Sequence, residues 1–373
     1  MELIVKVTPT SPRASLSRLL NTPLGLDVWE VKADHVLLQA DETQVDRLRQ
    51  MGYDIEQLYE AAPFVTRFAT ARAIDAYHSA QTLEQDLRQL AVSHPEIAEL
   101  HEIGRSVEDR PIWALRLGER RGSMRKLLFM GCHHAREWIA VEVPYLLAHY
   151  LVEESSRSPV QEWLSEGEVW VAPMVNPDGH EYSRTTNRLW RKNRRPNPDG
   201  SFGVDPNRNY GYMWGTLDIP TSSHTPSDST YVGPRAFSEP ETQAIRDLLG
   251  RERFRGAITY HSYSQLILYP WGFTEEPMFA EDFDKTVRLA GRMQELIQGV
   301  HGEFYTPQQS SALYPTAGDT TDWTYGIYGI PSYTIELRPR TATEGGFILP
   351  PEQIQPTFEE NLPAALAFIE EVL

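Results

Sequence analysis

Short, nearly continuous apolar runs recur along the chain, at KLLFMG (126–131), EVWVAPMVN (168–176), FRGAITYHS (254–262) and PSYTIELR (331–338). Runs of this kind, lacking strict polar alternation, predict strands buried on both faces. Between and after them, EWIAVEVPYLLAHYLVEE (137–154), SEPETQAIRDLLGRE (238–252) and PTFEENLPAALAFIEEV space their apolar residues as amphipathic helices do. The alternation predicts an α/β domain built on a mixed, largely parallel sheet flanked by helices.

The start of the chain reads differently. ELIVKV, SPRASLSRLL, GLDVWEV, DHVLLQAD, ETQVDRLRQMG and YDIEQLYE give strand, helix, strand, strand, helix, strand. That order predicts a small ferredoxin-like α+β module. We therefore divide the chain into residues 1–72, module and linker, and residues 73–373, the main domain.

In sheets with a parallel centre, ligands collect beyond the carboxyl ends of the strands. His134, Asn176, His261 and Glu336 all fall at or just past the ends of the predicted strands. Any one of them alone reads as an ordinary polar strand terminus, and the His-x-x-Glu pair of GCHHAREW (131–138) is by itself a weak signal. Together, His134, Glu137 and His261 would make the two-histidine, one-glutamate set of a catalytic zinc. Only converging strand ends could bring the distant His261 to the other two. Cys132, beside them, reads as a small buried residue rather than a ligand.

The segments HAREW (134–138), NPDGHEYSRTTNRLWRKNR (176–194), GVDPNRN (203–209), HSYSQLILYPWG (261–272), LYPTAGDTTDW (313–323) and TIELRPR (334–340) appear in an order and spacing that resembles the zinc carboxypeptidases of the carboxypeptidase A type. The resemblance covers residues 75–373. It implies one Zn²⁺ per chain, held by His134, Glu137 and His261, and peptide substrates with a free C-terminal carboxylate. It implies that Glu336 is the general base, taking a proton from water and passing it to the leaving amine. Arg191 matches the arginine that stabilises the oxyanion, and Arg188 a neighbouring position that helps form the substrate site. Asn207 and Arg208 match the pair that holds the terminal carboxylate, a task suited to the planar guanidinium fork. Tyr314 matches a mobile tyrosine that closes over the bound terminus. Arg136 would reach further up the peptide, and Asp205 would orient a ligating histidine.

Specificity in this family is set largely by the stretch here reading YPTAGDTTDW. Thr321, just before Asp322, is neither apolar nor acidic, and Asp319 lies two residues earlier. GDxTDW resembles the pocket motif of broad-specificity bacterial carboxypeptidases, carboxypeptidase T-like. We expect release of both hydrophobic and basic C-terminal residues, with the alternative that Asp319 only caps a turn. The N-terminal module resembles an inhibitory pro-domain, which makes Arg67 and Arg72 in the linker candidate processing points, although a permanent accessory domain fits the same residues.

Composition narrows the remaining classes. A formal net charge of −17 and a pI near 5.1 argue against reading RLWRKNRR as a nucleic-acid surface. No apolar run is long enough to cross a membrane, and MELIVKV lacks a secretory leader pattern. Read literally, the chain is cytoplasmic, whereas a pro-domain suits an exported enzyme, so the compartment stays open. The single Cys132 precludes an intrachain disulfide, and we expect a monomer. Two competing readings on the same scaffold are a cell-wall or other endopeptidase, which the Asn207–Arg208 pair argues against, and an inactive peptide-binding relative, which should have lost Glu336 or a ligand.

Overall fold

The structure, a computed structural model, describes all residues except Met1, Pro12, Arg13, Ala69, Thr70, Arg120, Arg121 and Ser123. The side chains of residues 68 and 71–73 are also outside it, so the expected processing point Arg72 falls outside the described side chains.

Strands β1 (Glu2–Pro9), β2 (Asp27–Val31), β3 (Val36–Asp41) and β4 (Tyr53–Glu60) form an antiparallel sheet in the order β2-β3-β1-β4. With helices Leu16–Leu20 and Glu42–Gln50 this is the predicted ferredoxin-like arrangement. The second helix starts on a capping box between Asp41 and Gln44. Along β1 the side chains alternate between two destinations. Leu3, Val5 and Val7 enter the module's own core with Leu19 and Leu48. Ile4, with Trp29, Leu37 and Phe64, instead packs on Leu189, Tyr263, Phe347 and Ile348 of the main domain. The small sheet is thus apolar on both faces because the second face is docked.

The main sheet contains β5 (Ala98–Arg105), β6 (Pro111–Leu117), β7 (Lys126–Gly131), β8 (Glu168–Ala172), β9 (Gly256–Ser262), β10 (Leu266–Tyr269), β11 (Thr306–Gln309) and β12 (Ser332–Leu337). Its order is β11-β10-β12-β9-β7-β8-β6-β5. The four central strands β12-β9-β7-β8 are parallel, and antiparallel pairings join β10 to β12, β6 to β8 and β5 to β6. Helices Ile139–Glu153, Ala280–His301 and Ile354–Val372 cover one face around Phe129, Leu289 and Phe368. Helices Pro240–Glu252 and Thr320–Tyr328 cover the other around Leu128, Ile245 and Trp323.

Parallel centre strands place their carboxyl ends at one edge, and β12 and β9 pair so that Glu336 lies opposite His261. β7 ends at Gly131, where an added Cβ would sit 1.9 Å from the Ala140 carbonyl oxygen. This close approach lets the helix carrying Ala140 begin directly behind the loop that bears His134 and Glu137. Gly131→Ala should therefore destabilise the protein by about 1–3 kcal/mol, the usual cost of overpacking, and weaken metal retention, measured by denaturant unfolding and by metal content after dialysis.

Candidate active site

β7 is followed by a sharp turn at Cys132, whose φ of 54° is left-handed. The turn is held from the next loop, where Val175 and Asn176 donate backbone N–H groups to the carbonyls of Gly131 and Cys132. The Asn176 side chain also donates to the His133 carbonyl at 3.0 Å while capping its own helix at Gly179. Cys132 is fully buried, with its Sγ 3.6 Å from His180 Nδ1. So braced, the loop points His134 and Glu137 toward the end of β9, where His261 waits.

His134 Nδ1 lies 2.8 Å from Glu137 Oε1, and His261 Nδ1 lies 3.0 Å from Glu137 Oε2 and 3.1 Å from His134 Nδ1. All three residues are buried, and their ligand atoms lie within 4.8 Å of one another. Donors about 2.0–2.2 Å from one tetrahedral ion would stand roughly 3.3–3.5 Å apart, so a Zn²⁺ fits after shifts of a few tenths of an ångström. Two imidazole nitrogens facing each other across a carboxylate are also the donor set zinc prefers. Among the described residues no other His, Cys, Asp and Glu cluster converges in this way.

Behind the metal set stands Asp205, which is fully buried. Its Oδ1 lies 3.2 Å from His134 Nε2 and accepts the Asn207 backbone N–H at 2.9 Å. Its Oδ2 accepts from Arg191 Nε at 2.9 Å. Burial pushes the carboxyl pKa up, but Arg191, His134 and Arg208 outweigh it and hold Asp205 well below the usual carboxylate range.

One cavity gathers His134, His261, Glu336, Asn207, Arg208, Tyr314 and Asp319, together with Leu268, Thr316 and Thr334. Glu336 is raised well above the ordinary glutamate range by burial and by the Glu137 carboxylate, against the pull of Arg191 and Arg208. The Asn207 amide oxygen accepts from Thr320 N–H at 2.9 Å and from the Thr320 hydroxyl at 2.7 Å. Arg208 donates to the carbonyls of Thr221 and Asn207. Thr221, Ser222 and Ser223 are buried, so this part of the Ser- and Thr-rich 221–230 loop is built into the site. Asp319 caps helix Thr320–Tyr328 through Asp322 N–H and also accepts from Thr316 Oγ1 at 3.0 Å. It therefore caps a helix and lines the cavity at once. Burial raises its pKa.

A second cavity brings Arg191, Glu137, Glu336 and Tyr314 against Val28 and Trp29 of the N-terminal module. Arg136 is fully buried. Its guanidinium donates to both oxygens of Asp27 on β2, with Nη2 2.9 Å from Oδ1, and stacks on Phe347 at 3.8 Å. The ring of Tyr314 packs against the module's core.

Two expected substrate residues lie behind the cavity walls. Arg188 donates to the carbonyls of Arg136 and Phe347, both at 2.7 Å, and lies over Trp138. Thr321 Oγ1 is 2.7 Å from Thr334 Oγ1, and it is Thr334 that reaches the cavity. Thr334 went unnoticed in the sequence, although the two-residue period of β12 puts it on the face of Glu336. Asp27 and Trp29 left no signal, since nothing in the small module announces what it docks against.

A buried two-histidine, one-glutamate metal set with a free carboxylate beside it defines a metallohydrolase. The family model described as zinc carboxypeptidase matches residues 83–364. The chain is 37% identical over 294 residues to carboxypeptidase B of Astacus astacus, covering 77% of this chain and 93% of that protein. It is 31% identical over 367 residues to a zinc carboxypeptidase of Saccharothrix mutabilis subsp. capreolus, covering 92% and 82%. The solved structure of carboxypeptidase A from Helicoverpa armigera shares the fold, with a TM-score of 0.84, 24% identity, and coverage of 100% of this chain and 97% of that one. The chain belongs to the zinc carboxypeptidase family. It is a hydrolase of peptide bonds that uses one Zn²⁺, for which His134, Glu137 and His261 are the group able to hold the ion. Among the described residues no helix is long and apolar enough to cross a membrane.

Replacing Asp205 by Ala should lower zinc affinity by about 10–100-fold, the usual range for loss of a carboxylate that orients a ligating histidine. Competition with a chelator followed by metal analysis measures it.

Proposed function

We propose that the enzyme releases single residues from peptides with a free C-terminus, accepting both hydrophobic and basic side chains there. The observation that carries this reading is the cavity shared by His134, His261, Glu336 and the Asn207–Arg208 pair. A terminal carboxylate held by the pair would leave the preceding peptide bond next to Glu336 and the metal ligands, so only the last bond is presented.

Bound by His134, Glu137 and His261, zinc would polarise the scissile carbonyl and make attack by water feasible near neutral pH. Glu336 takes one proton from the attacking water and delivers it to the departing amine. Its buried setting, which favours the protonated form between these two events, suits that shuttle. Arg191 donates to the oxygen that gains charge in the tetrahedral stage, while its own charge is anchored by Asp205. Arg208 and Asn207 bind the terminal carboxylate, Tyr314 closes over it, and Arg136 meets the peptide upstream. Arg188 holds the backbone of Arg136 in place. Asp319 offers a carboxylate to Lys or Arg ends, whereas Leu268, Thr316 and Thr334 leave room for apolar ones, with Thr321 fixing Thr334.

In the uncut chain the module of residues 1–72 acts as an inhibitory segment. Asp27 occupies Arg136, and Trp29 stands against the metal side of the cavity. Cutting the linker, at Arg67 or Arg72, would free the main domain of residues 73–373.

Glu336→Gln should cut turnover by about 10²–10⁴-fold with zinc still bound, and unchanged hydrolysis of an acyl-dipeptide would sink the mechanism. Arg208→Ala should raise KM for free C-termini by about 10–100-fold, in line with a lost hydrogen bond to a charged group. Paired free and C-terminally amidated peptides check the direction, since an endopeptidase would cut both. Asp27→Ala should raise the activity of the uncut chain by about tenfold, or about 1.4 kcal/mol, and leave the trypsin-processed enzyme unchanged.

A further inference from the structure

His133 precedes a metal ligand, yet it belongs to a different network. Its ring is fully buried and lies nearly parallel to that of His261, with centroids 5.5 Å apart and planes at 15°. Nδ1 is 3.2 Å from Thr259 Oγ1, two residues before His261 on the same face of β9. Nε2 is 2.8 Å from the Tyr210 hydroxyl and 3.2 Å from Thr320 Oγ1.

Counting protons fixes the direction of this network. The Thr320 hydroxyl has one proton, and the Asn207 amide oxygen 2.7 Å away can only accept it. Thr320 Oγ1 is therefore an acceptor toward His133, and Nε2 is the imidazole nitrogen that carries hydrogen. Nδ1 is left to accept from Thr259. A one-way chain results: His133 Nε2–H, shared with the Tyr210 hydroxyl, to the Thr320 hydroxyl, to Asn207 Oδ1. Because Asn207 Oδ1 also takes the Thr320 backbone N–H at 2.9 Å, both its lone pairs are used. The amide nitrogen, the donor a carboxylate needs, is what Asn207 has left for the cavity.

We propose that His133 is a positioning residue for the terminal-carboxylate site, holding Thr320 and Tyr210 so that the Asn207 amide presents its N–H₂ edge to the substrate. This rests on the exopeptidase reading above. It joins the metal side of the site, through the stacked His261 ring and Thr259, to the carboxylate side, through Thr320.

The test compares His133→Phe, His133→Gln and Thr320→Val in trypsin-treated enzyme, using an acyl-dipeptide ending in Phe and free phenylalanine as a competing product. His133→Phe keeps the ring but loses the donor. It should raise KM and the inhibition constant of phenylalanine by about fivefold to tenfold, with kcat within about threefold and zinc retained. His133→Gln, which can offer an N–H toward Tyr210, should recover part of that loss. Adding Thr320→Val to His133→Phe should cost little more, because both act in one chain. A fall in kcat with KM and product binding unchanged, loss of zinc, or full additivity would overturn the proposal. If His133→Phe does not fold, Thr320→Val carries the test, and unchanged carboxylate binding there overturns it too. Wild-type enzyme that cuts amidated and free peptides alike would instead refute the exopeptidase reading before any variant is compared.

Discussion

A single buried carboxylate holds the site in register. Asp205 receives the outer nitrogen of His134, the backbone N–H of Asn207 and the guanidinium of Arg191. One anion thereby ties together a residue of the candidate metal set, the turn that carries Asn207 and Arg208, and an arginine that lines the neighbouring cavity. Removing an anion from water costs several kcal/mol, and only close cationic and N–H partners offset that cost. Here the partners are the candidate site residues themselves, so the electrostatics that stabilise Asp205 also fix their relative positions. The carboxyls of Glu336 and Asp319, which line the cavity, feel burial without comparable compensation, and their pKa values rise instead.

The parallel centre of the sheet was legible because strands covered on both faces write continuous apolar runs, and β7, β8, β9 and β12 all lie within the predicted segments. β8 stops at Ala172, short of Asn176, since the residues after it leave the sheet to brace the Cys132 turn. The two outermost strands escaped notice for the opposite reason. TPQQ of β11 carries no strong apolar pattern, and AELHEIGR of β5 mixes polar and apolar residues as an edge does. These flanks make the sheet mixed rather than purely parallel.

For the site, the sequence named the three residues that the structure gathers as a possible metal set and the charged groups near them, because each stands at a strand end or in a distinctive motif. It was silent on what stands behind them. His133, Tyr210 and Thr320 are ordinary residues whose meeting depends on three separated segments, and Arg188 and Thr321 reveal their bracing contacts only in three dimensions. The docking of the small module was likewise hidden, since a second apolar face on a sheet reads the same whether it meets its own helices or another domain.

That docked face has a further consequence. Leu189, Tyr263, Phe347 and Ile348 are buried in a cluster that includes Ile4, Trp29 and Phe64. Any event that parts the module from the main domain strips the covering from these side chains and leaves an oily ledge beside Arg136, at the entrance to the cleft. Such a ledge attracts whatever apolar surface is near: the upstream residues of an incoming chain, a returning module, or a second copy of the enzyme. The same contacts that dock the module thus decide how greasy the main domain would be without it.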